Sequence, residues 1–437
     1  MTKSTLQQQL ETLSAARYPL HMPGHKRRVP PAPGLGCYAW DLTEIDGADD
    51  LHDADGILAD AMARTAALYG ARRCWYLVGG STVGLLAGIR ALAPFGSTVI
   101  AARNCHKAVY HAMELGQLKA RWLTPPVDPQ FGIYGSVRPA DVAAALDAAP
   151  DARCVILTSP TYEGVLSDIR TIAEICHARG VPLLVDNAHG AYLKFLSPSR
   201  HPMDLGADLC CDSAHKTLPV VTGGAYLHIA HQAPELLHRQ AKASMGLWGS
   251  SSPSYLILQS LDAANELLAD YPEKLQALLP QLESLRRRLA ARGWELLSGE
   301  PLKVTLCPKG YGYTGPEVAA ALESGGIYPE FYDPDHVVLM VSPQNDPADL
   351  RRLEEVLAAL PRRQAIRQGP PPMPRLEQAV TPHEAMLSPW EEVPLEACCG
   401  RISAAGTLGC PPAVPVVLCG QRMDAAAVEV LHYYGFH

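Results

Sequence analysis

The chain predicts an α/β fold: a large domain on a mostly parallel sheet, followed by a smaller α+β C-terminal domain. Strand and helix signals alternate from about residue 51 to 255, as a doubly wound sheet requires. Four of the strand candidates, Ser97–Ala101, Cys154–Thr158, Val181–Val185 and Asp208–Cys211, are continuous apolar runs, the pattern of strands covered on both faces. A second, shorter alternation follows a long amphipathic stretch, Leu256–Arg292, broken near Tyr271-Pro272, where the imino ring cannot continue a helix interior. In that second region Lys303–Cys307 and Val337–Val341 read as strands, and Pro316–Ser324 and Pro347–Leu360 as helices. The expected divisions are an N-terminal arm rich in Pro and Gly (1–50), a large domain (51–255), bridging helices with a small domain (256–360), a Pro-stiffened linker (361–375) and a C-terminal segment (376–437).

The 437 residues are 48% hydrophobic, enough for sizeable cores, and carry a formal charge of -8, which offers no basic surface for nucleic acid. The longest apolar runs fall far short of the ~20 residues of a membrane helix, and the first residues lack the apolar core of a signal peptide. The expectation is therefore a cytoplasmic protein with neither membrane nor nucleic-acid partners. The 12 cysteines form no Cys-x-x-Cys pair, so zinc-type spacing is absent and no metal is expected. His52, His111 and His228 read as surface or satisfied core residues.

The densest chemistry lies in Asp208-Leu-Cys-Cys-Asp-Ser-Ala-His-Lys-Thr217, with Gly223-Gly224 close behind. A lysine at a strand end, fixed in place and partly shielded from water, is suited to form an imine, so Lys216 is the candidate nucleophile. Val181-Pro-Leu-Leu-Val-Asp186 is a buried strand ending in a carboxylate, and ligands sit at the carboxyl ends of such strands. Asp186 there suits either a protonated pyridine nitrogen or a turn-capping role. Trp75-Tyr-Leu-Val-Gly-Gly80-Ser81-Thr82 reads as a strand, a glycine turn and a helix that opens with hydroxyl residues. Free amides and the helix dipole make that turn a phosphate site. It has no P-loop lysine and no dinucleotide spacing, which favours a phosphate monoester. In Asn104-Cys-His106-Lys107, Asn104 reads as the cap of a helix from Ala108 to Leu115, with His106 positioned to lie on a cofactor ring or to face solvent.

Taken in chain order, a phosphate turn, a His, a strand-end Asp and a Lys resemble the Orn/Lys/Arg decarboxylase family of fold type I, aspartate aminotransferase-like pyridoxal phosphate enzymes. Further blocks are similar to that family: His21-Met-Pro-Gly-His-Lys26, Asp41–His52, Ser159-Pro-Thr-Tyr-Glu-Gly164, Asp186–Ala191, Gly325-Gly-Ile-Tyr-Pro-Glu330 and Gly400-Arg-Ile-Ser403. The resemblance spans nearly the whole chain and is to the short form, without a wing domain ahead of the Pro-Gly-His-Lys block. It implies that Lys216 forms the cofactor imine, Asp186 pairs with the ring nitrogen and His106 stacks on the ring. It places Gly80, Ser81, Thr82, Ser213 and His215 around the phosphate and Ala188 and His189 in the cofactor pocket. Ser252 looks like the residue that a neighbouring subunit lends to the same phosphate. A homodimer or a multiple of dimers with shared active sites is thereby implied.

Departures from the family pattern cluster on the substrate side. An Asn before the phosphate turn is Gly79 here, and family residues near the C-terminus are replaced by Cys410, Ala413, Cys419 and Gln421. The implied reaction is decarboxylation of arginine, lysine or ornithine, with Lys216 or His215 returning a proton to Cα and Glu330, or a carboxylate of the Asp46–Asp50 cluster, facing the distal cation. Transamination, with Arg401 or Arg422 on the α-carboxylate, and a non-catalytic relative are the alternatives.

Overall fold

The structure, a computed structural model, describes residues 5–15, 37, 40–408 and 413–436. The His21–Lys26 block and Cys410 lie outside the described residues. Seven strands, β1 (Arg73–Leu77), β2 (Thr98–Ala102), β3 (Lys119–Leu123), β4 (Val155–Thr158), β5 (Leu183–Asp186), β6 (Leu209–Asp212) and β7 (Ala225–Ile229), form one sheet in the order β1-β7-β6-β5-β4-β2-β3. The four expected strand runs are β2, β4, β5 and β6, each within two residues of its expected ends, and β2, β5 and β6 are buried along their whole length. The chain divides into two compact units, Met1–Leu92 with Pro182–Pro272, and Ala93–Val181 with Glu273–His437.

In the first unit β5 and β6 pair in parallel with Asp186 opposite Cys211. β7 runs antiparallel to both β6 and β1, so the sheet is mostly, not wholly, parallel. The link from Asp212 to Ala225 holds only the single-turn helix Ala214–Thr217 and returns the chain without a crossover helix. The helix Gly80–Leu92 lies close on these strands because two of its positions lack side chains. A Cβ at Gly84 would fall 2.4 Å from Cys211 Sγ and 2.6 Å from Leu77 Cδ1, and one at Gly88 would fall 2.9 Å from Leu184 Cδ1. Gly84→Ala will therefore lift the helix from the sheet and destabilise the protein by about 1–3 kcal/mol, the usual scale of overpacking. Urea denaturation monitored by circular dichroism measures it, and an unchanged midpoint would refute the close packing.

In the second unit β2 pairs in parallel with both β3 and β4. A separate antiparallel sheet has the order β10-β11-β9-β8, from β8 (Glu295–Leu296), β9 (Lys303–Cys307), β10 (Phe331–Tyr332) and β11 (Val337–Met340). Its helices Gly315–Ser324 and Pro347–Ala359 each begin with a capping box, Thr314 with Glu317 and Asp346 with Asp349. The long amphipathic stretch forms two helices, Tyr255–Leu267 and Tyr271–Ala291, and Pro272 is accommodated in the first turn of the second, where its missing N–H has no role. At the C-terminus Leu395, Val416, Val417, Met423, Ala427, Val430 and Leu431 form their own apolar cluster.

Candidate active site

In the first unit, β5 and β6 deliver Asp186 and Asp212 at their carboxyl ends, and the next residues of each loop supply the rest. The turn of helix after β6 presents Lys216, half-buried, whose Nζ lies 3.1 Å from His189 Nε2 in the loop after β5. Asp186 is 1% exposed and accepts the Ala188 N–H at 3.2 Å. Burial pushes its carboxyl up to about 6; the Lys216 ammonium and the Ala188 amide pull the other way, and the charge of Asp212 adds to the rise.

The phosphate turn lies in the same unit. Gly80 has φ +71°, with nothing within 4 Å of the position a Cβ would take, and its N–H donates to Gly223 O at 2.8 Å. That conformation suits glycine, and the bare backbone opens the helix end to a ligand. Ser213 Oγ donates to Ser81 Oγ at 2.8 Å, which joins the turn to the lysine loop. Thr82 follows in the first turn, whose amides have no intrahelical acceptor. His215 places Nδ1 2.9 Å from Gly224 O, so the proton is on Nδ1 and Nε2 is the nitrogen left for chemistry. Thr217 carries a buried hydroxyl oxygen without a partner. Ser252 is exposed, with its N–H on Ser250 Oγ at 3.1 Å.

These residues fit pyridoxal phosphate. Hydroxyl groups and open amides at a helix N-terminus match a phosphate monoester. A carboxyl group as buried as Asp186 holds charge only against a cation, which a protonated ring nitrogen supplies. Lys216, shielded beside His189 and Asp186, is set to attach a carbonyl carbon.

Two expected site residues belong to the second unit. His106, exposed, caps the helix Lys107–Gly116 by accepting the Ala108 N–H on Nδ1 at 3.2 Å. The cap was expected at Asn104, which instead is buried with its Oδ1 unpartnered; the chain turns two residues later than the Asn signal suggests. Glu330 is exposed and accepts from Tyr162 Oη at 2.9 Å. Lys303 Nζ donates to the carbonyls of Thr161 and Tyr162 at 2.9 and 2.8 Å, which fixes the loop that carries that tyrosine. Arg401 pairs with Glu391 at 2.6 Å and Arg422 with Glu377 at 3.2 Å. Back in the first unit, Asp49 of the acidic cluster is spent on backbone amides, accepting from Asp55, Gly56, Leu58 and Ala59.

Sequence reading missed one part of the site. Asp212, fully buried, accepts from Asn187 Nδ2 at 2.7 Å, His201 Nε2 at 2.9 Å, His228 Nε2 at 3.2 Å and Cys210 Sγ at 3.3 Å. Tyr69 stacks on the His228 ring with centroids 4.4 Å apart. Asp212 stood inside the lysine motif, but His201 and His228 are distant in sequence and carry no spacing signal. His201, Cys210 and Asp212 offer ligand atoms within 4.8 Å of one another, yet His201 Nδ1 accepts the Met203 N–H, so its Nε2 proton is aimed at Asp212 and the cluster is closed by its own protons.

The description Orn/Lys/Arg decarboxylase, major domain, matches residues 34–307, and its C-terminal domain matches residues 363–437. The chain is 32% identical over 407 residues to the uncharacterized protein YaaO of Bacillus subtilis, covering 90% of this chain and 84% of that one. It is 30% identical over 430 residues to an arginine decarboxylase of Halalkalibacterium halodurans, covering 92% and 87%. Among solved structures, the lysine decarboxylase of Francisella novicida superposes with a TM-score of 0.82 at 19% identity, over 98% of this chain and 76% of that one, which shows the same fold. The chain belongs to the Orn/Lys/Arg decarboxylase family of pyridoxal phosphate-dependent lyases, with the fold type I architecture.

Proposed function

We propose that this chain decarboxylates a basic amino acid, arginine, lysine or ornithine, to the corresponding amine and carbon dioxide. The observation that carries the reading is the convergence of Lys216, His189 and the buried Asp186 in one unit with an open phosphate turn. Arginine is the first substrate to test, because the relatives near 30% identity that carry an activity name are arginine decarboxylases.

When bound, pyridoxal phosphate supplies the electron sink for the pair left behind as the α-carboxylate departs. Lys216 Nζ would hold its carbonyl carbon, and Asp186 would keep a proton on its ring nitrogen. Gly80, Ser81, Thr82, Ser213 and His215 would hold the phosphate, and Ala188 and His189 would line the ring pocket. His106 takes the ring-facing role that the family resemblance assigns to it. Asp186 and His189, 1% and 4% exposed, are themselves shielded from water, which strengthens the interaction of the Asp186 charge with a cation beside it. Loss of carbon dioxide leaves Cα one proton short, and Lys216 Nζ or His215 Nε2 returns it. Glu330, oriented by Tyr162, is the carboxylate for the distal cation of the substrate.

Transamination is disfavoured on a specific ground: Arg401 and Arg422, the candidates for gripping an α-carboxylate, are already paired with Glu391 and Glu377. Assembly as a homodimer or a multiple of dimers, with the exposed Ser252 serving the partner's phosphate site, completes the proposal, and sedimentation analysis tests it. The deciding assay incubates the cofactor-loaded protein separately with arginine, lysine and ornithine and measures carbon dioxide and amine. Stoichiometric release from one of them is expected, and a cofactor-loaded protein that releases none from any would overturn the assignment.

A further inference from the structure

The C-terminal segment has no part in the reaction described so far, yet it holds the stretch of chain that carries His106, and every contact lies within the second unit. Arg103 directly follows β2, and its N–H donates to Leu123 O, at the end of β3, at 2.7 Å. Its guanidinium donates from Nη1 to Pro415 O at 2.8 Å and from Nη2 to Val416 O at 3.1 Å. A planar fork matches two consecutive carbonyls, which the point charge of a lysine does not span. Both acceptors are backbone atoms, so the replacement at Ala413 removes neither. They are also anchored, since Val416 is fully buried in the apolar cluster of the C-terminal segment.

The loop that begins at Arg103 is also closed from within. Tyr110 Oη donates to Arg103 O at 2.6 Å, and burial pushes that hydroxyl up, so it keeps the proton it donates. His106 lies between these two residues, with its Nδ1 on the Ala108 N–H and its carbonyl accepting the Val109 N–H at 2.9 Å. Because the His106 side chain is exposed, neighbouring side chains do not cage it, and the backbone of this loop sets its direction. The C-terminal segment meets the far end of the same helix, Lys107–Gly116. His383 Nδ1 donates to Glu114 O at 2.8 Å, and its Nε2 accepts from Gln117 Nε2 at 2.6 Å. The helix and the loop before it are therefore held at both ends by residues of the C-terminal segment.

We propose that Arg103 is a positioning residue for His106: it ties the loop between β2 and the helix Lys107–Gly116 to the C-terminal segment and so sets the direction of the His106 ring. The proposal rests on the ring-facing role given to His106 under Proposed function. A stacked contact depends on distance and tilt together, so a small displacement of the loop is felt in the rate. Arg103 acts through His106 alone, and its loss matters only while that histidine is present.

The test is a double-mutant cycle on carbon dioxide release by the cofactor-loaded protein: wild type, Arg103→Met, His106→Ala and the double variant. Arg103→Met should lower kcat by about 10-fold with little change in KM. The double variant should be no slower than His106→Ala, because the second change has nothing left to displace. Arg103→Lys, which retains one donor, should recover part of the loss. Losses that multiply in the double variant overturn the proposal, since they assign Arg103 to general packing. A second arm uses the cofactor-free full chain and reads amide hydrogen exchange at Ala108, whose N–H is held by His106 Nδ1. That exchange should quicken by about 10-fold in Arg103→Met, the scale of losing a charged hydrogen bond. The Asn187 N–H, bonded to Cys211 O in the first unit, should keep its rate. Unchanged exchange at Ala108 also overturns the proposal. Tyr110→Phe, which removes the bond to Arg103 O and keeps the ring, replaces Arg103→Met in both arms should the latter not fold. A protein that binds no pyridoxal phosphate, or releases no carbon dioxide, sinks the cofactor reading alone, since the exchange arm still decides whether Arg103 holds the histidine.

Discussion

Lys216→Ala will abolish turnover, with a loss on the order of 10⁴-fold, the scale of deleting one member of a covalent catalytic set. The argument rests on placement. Lys216 is half-buried on a single turn of helix, its Nζ 3.1 Å from His189 Nε2, in the unit that also holds Asp186 and the phosphate turn. Its ammonium is also among the groups that hold the Asp186 carboxyl down. Removing it therefore deletes the nucleophile and leaves Asp186 more firmly protonated, and the two losses act in the same direction. Lys216→Arg separates them: it keeps a positive charge near Asp186, but a guanidinium does not deprotonate to attack a carbonyl. Both variants should fold, because the single-turn helix is held by other groups, including the Leu218 N–H to Ala214 O bond at 2.8 Å. Cofactor retention through gel filtration, the visible absorbance gained with pyridoxal phosphate and carbon dioxide release measure the outcome. Wild-type release from Lys216→Ala would remove this residue from the mechanism.

The parts of this site that were legible in the sequence are those that chain proximity builds. β5 and β6 were legible because they are buried on both faces and so are apolar throughout, and their terminal residues then named Asp186 and the lysine loop. The glycine turn that opens the helix Gly80–Leu92 was legible because Gly80 and the hydroxyl residues after it are adjacent. What proximity does not build was hidden. The antiparallel return of β7 depends on what a 12-residue link can span, a matter of geometry and not of composition. His201 and His228 meet Asp212 only once the turn Pro202–Leu205 and β7 have been placed, and an isolated His on an apolar run reads as core, which His228 also is. The helix cap at His106 went to a residue with weaker intrinsic capping preference than Asn104 because the chain leaves β2 through two further residues before turning. Asp49 looked like one of a run of solvated charges and proved to be the acceptor that ties down the start of the helix Ile57–Tyr69.

Asp186→Asn will show opposite effects on stability and on activity, and the pH dependence of the first identifies its cause. In the cofactor-free chain the folded carboxyl lies near 6, above its ordinary value of 3.8, chiefly through burial. A raised carboxyl favours the folded state fully below the unfolded value, and that contribution is lost as pH climbs through the folded one. Between about pH 4 and 6 the wild type therefore accumulates a penalty for ionising a buried group. A shift of this size corresponds to about 3 kcal/mol at most by the conversion of ~1.36 kcal/mol per unit. The amide of Asn carries no such penalty. Urea midpoints should coincide near pH 4 and separate in favour of Asn by pH 8, and coincident midpoints at both would show that Asp186 is not strained when ionised. The cofactor-loaded protein should behave in the reverse way. There the ring nitrogen supplies the cation that Asp186 lacks, so the carboxylate contributes to binding, and an amide cannot keep that nitrogen protonated. Turnover should fall by about 10²–10³-fold, as when one electrostatic partner is removed from a dry site, with weaker retention of pyridoxal phosphate on gel filtration. A group that costs stability when the site lacks its cation and contributes to binding when the cation is present is one whose position is set by the reaction and not by the fold.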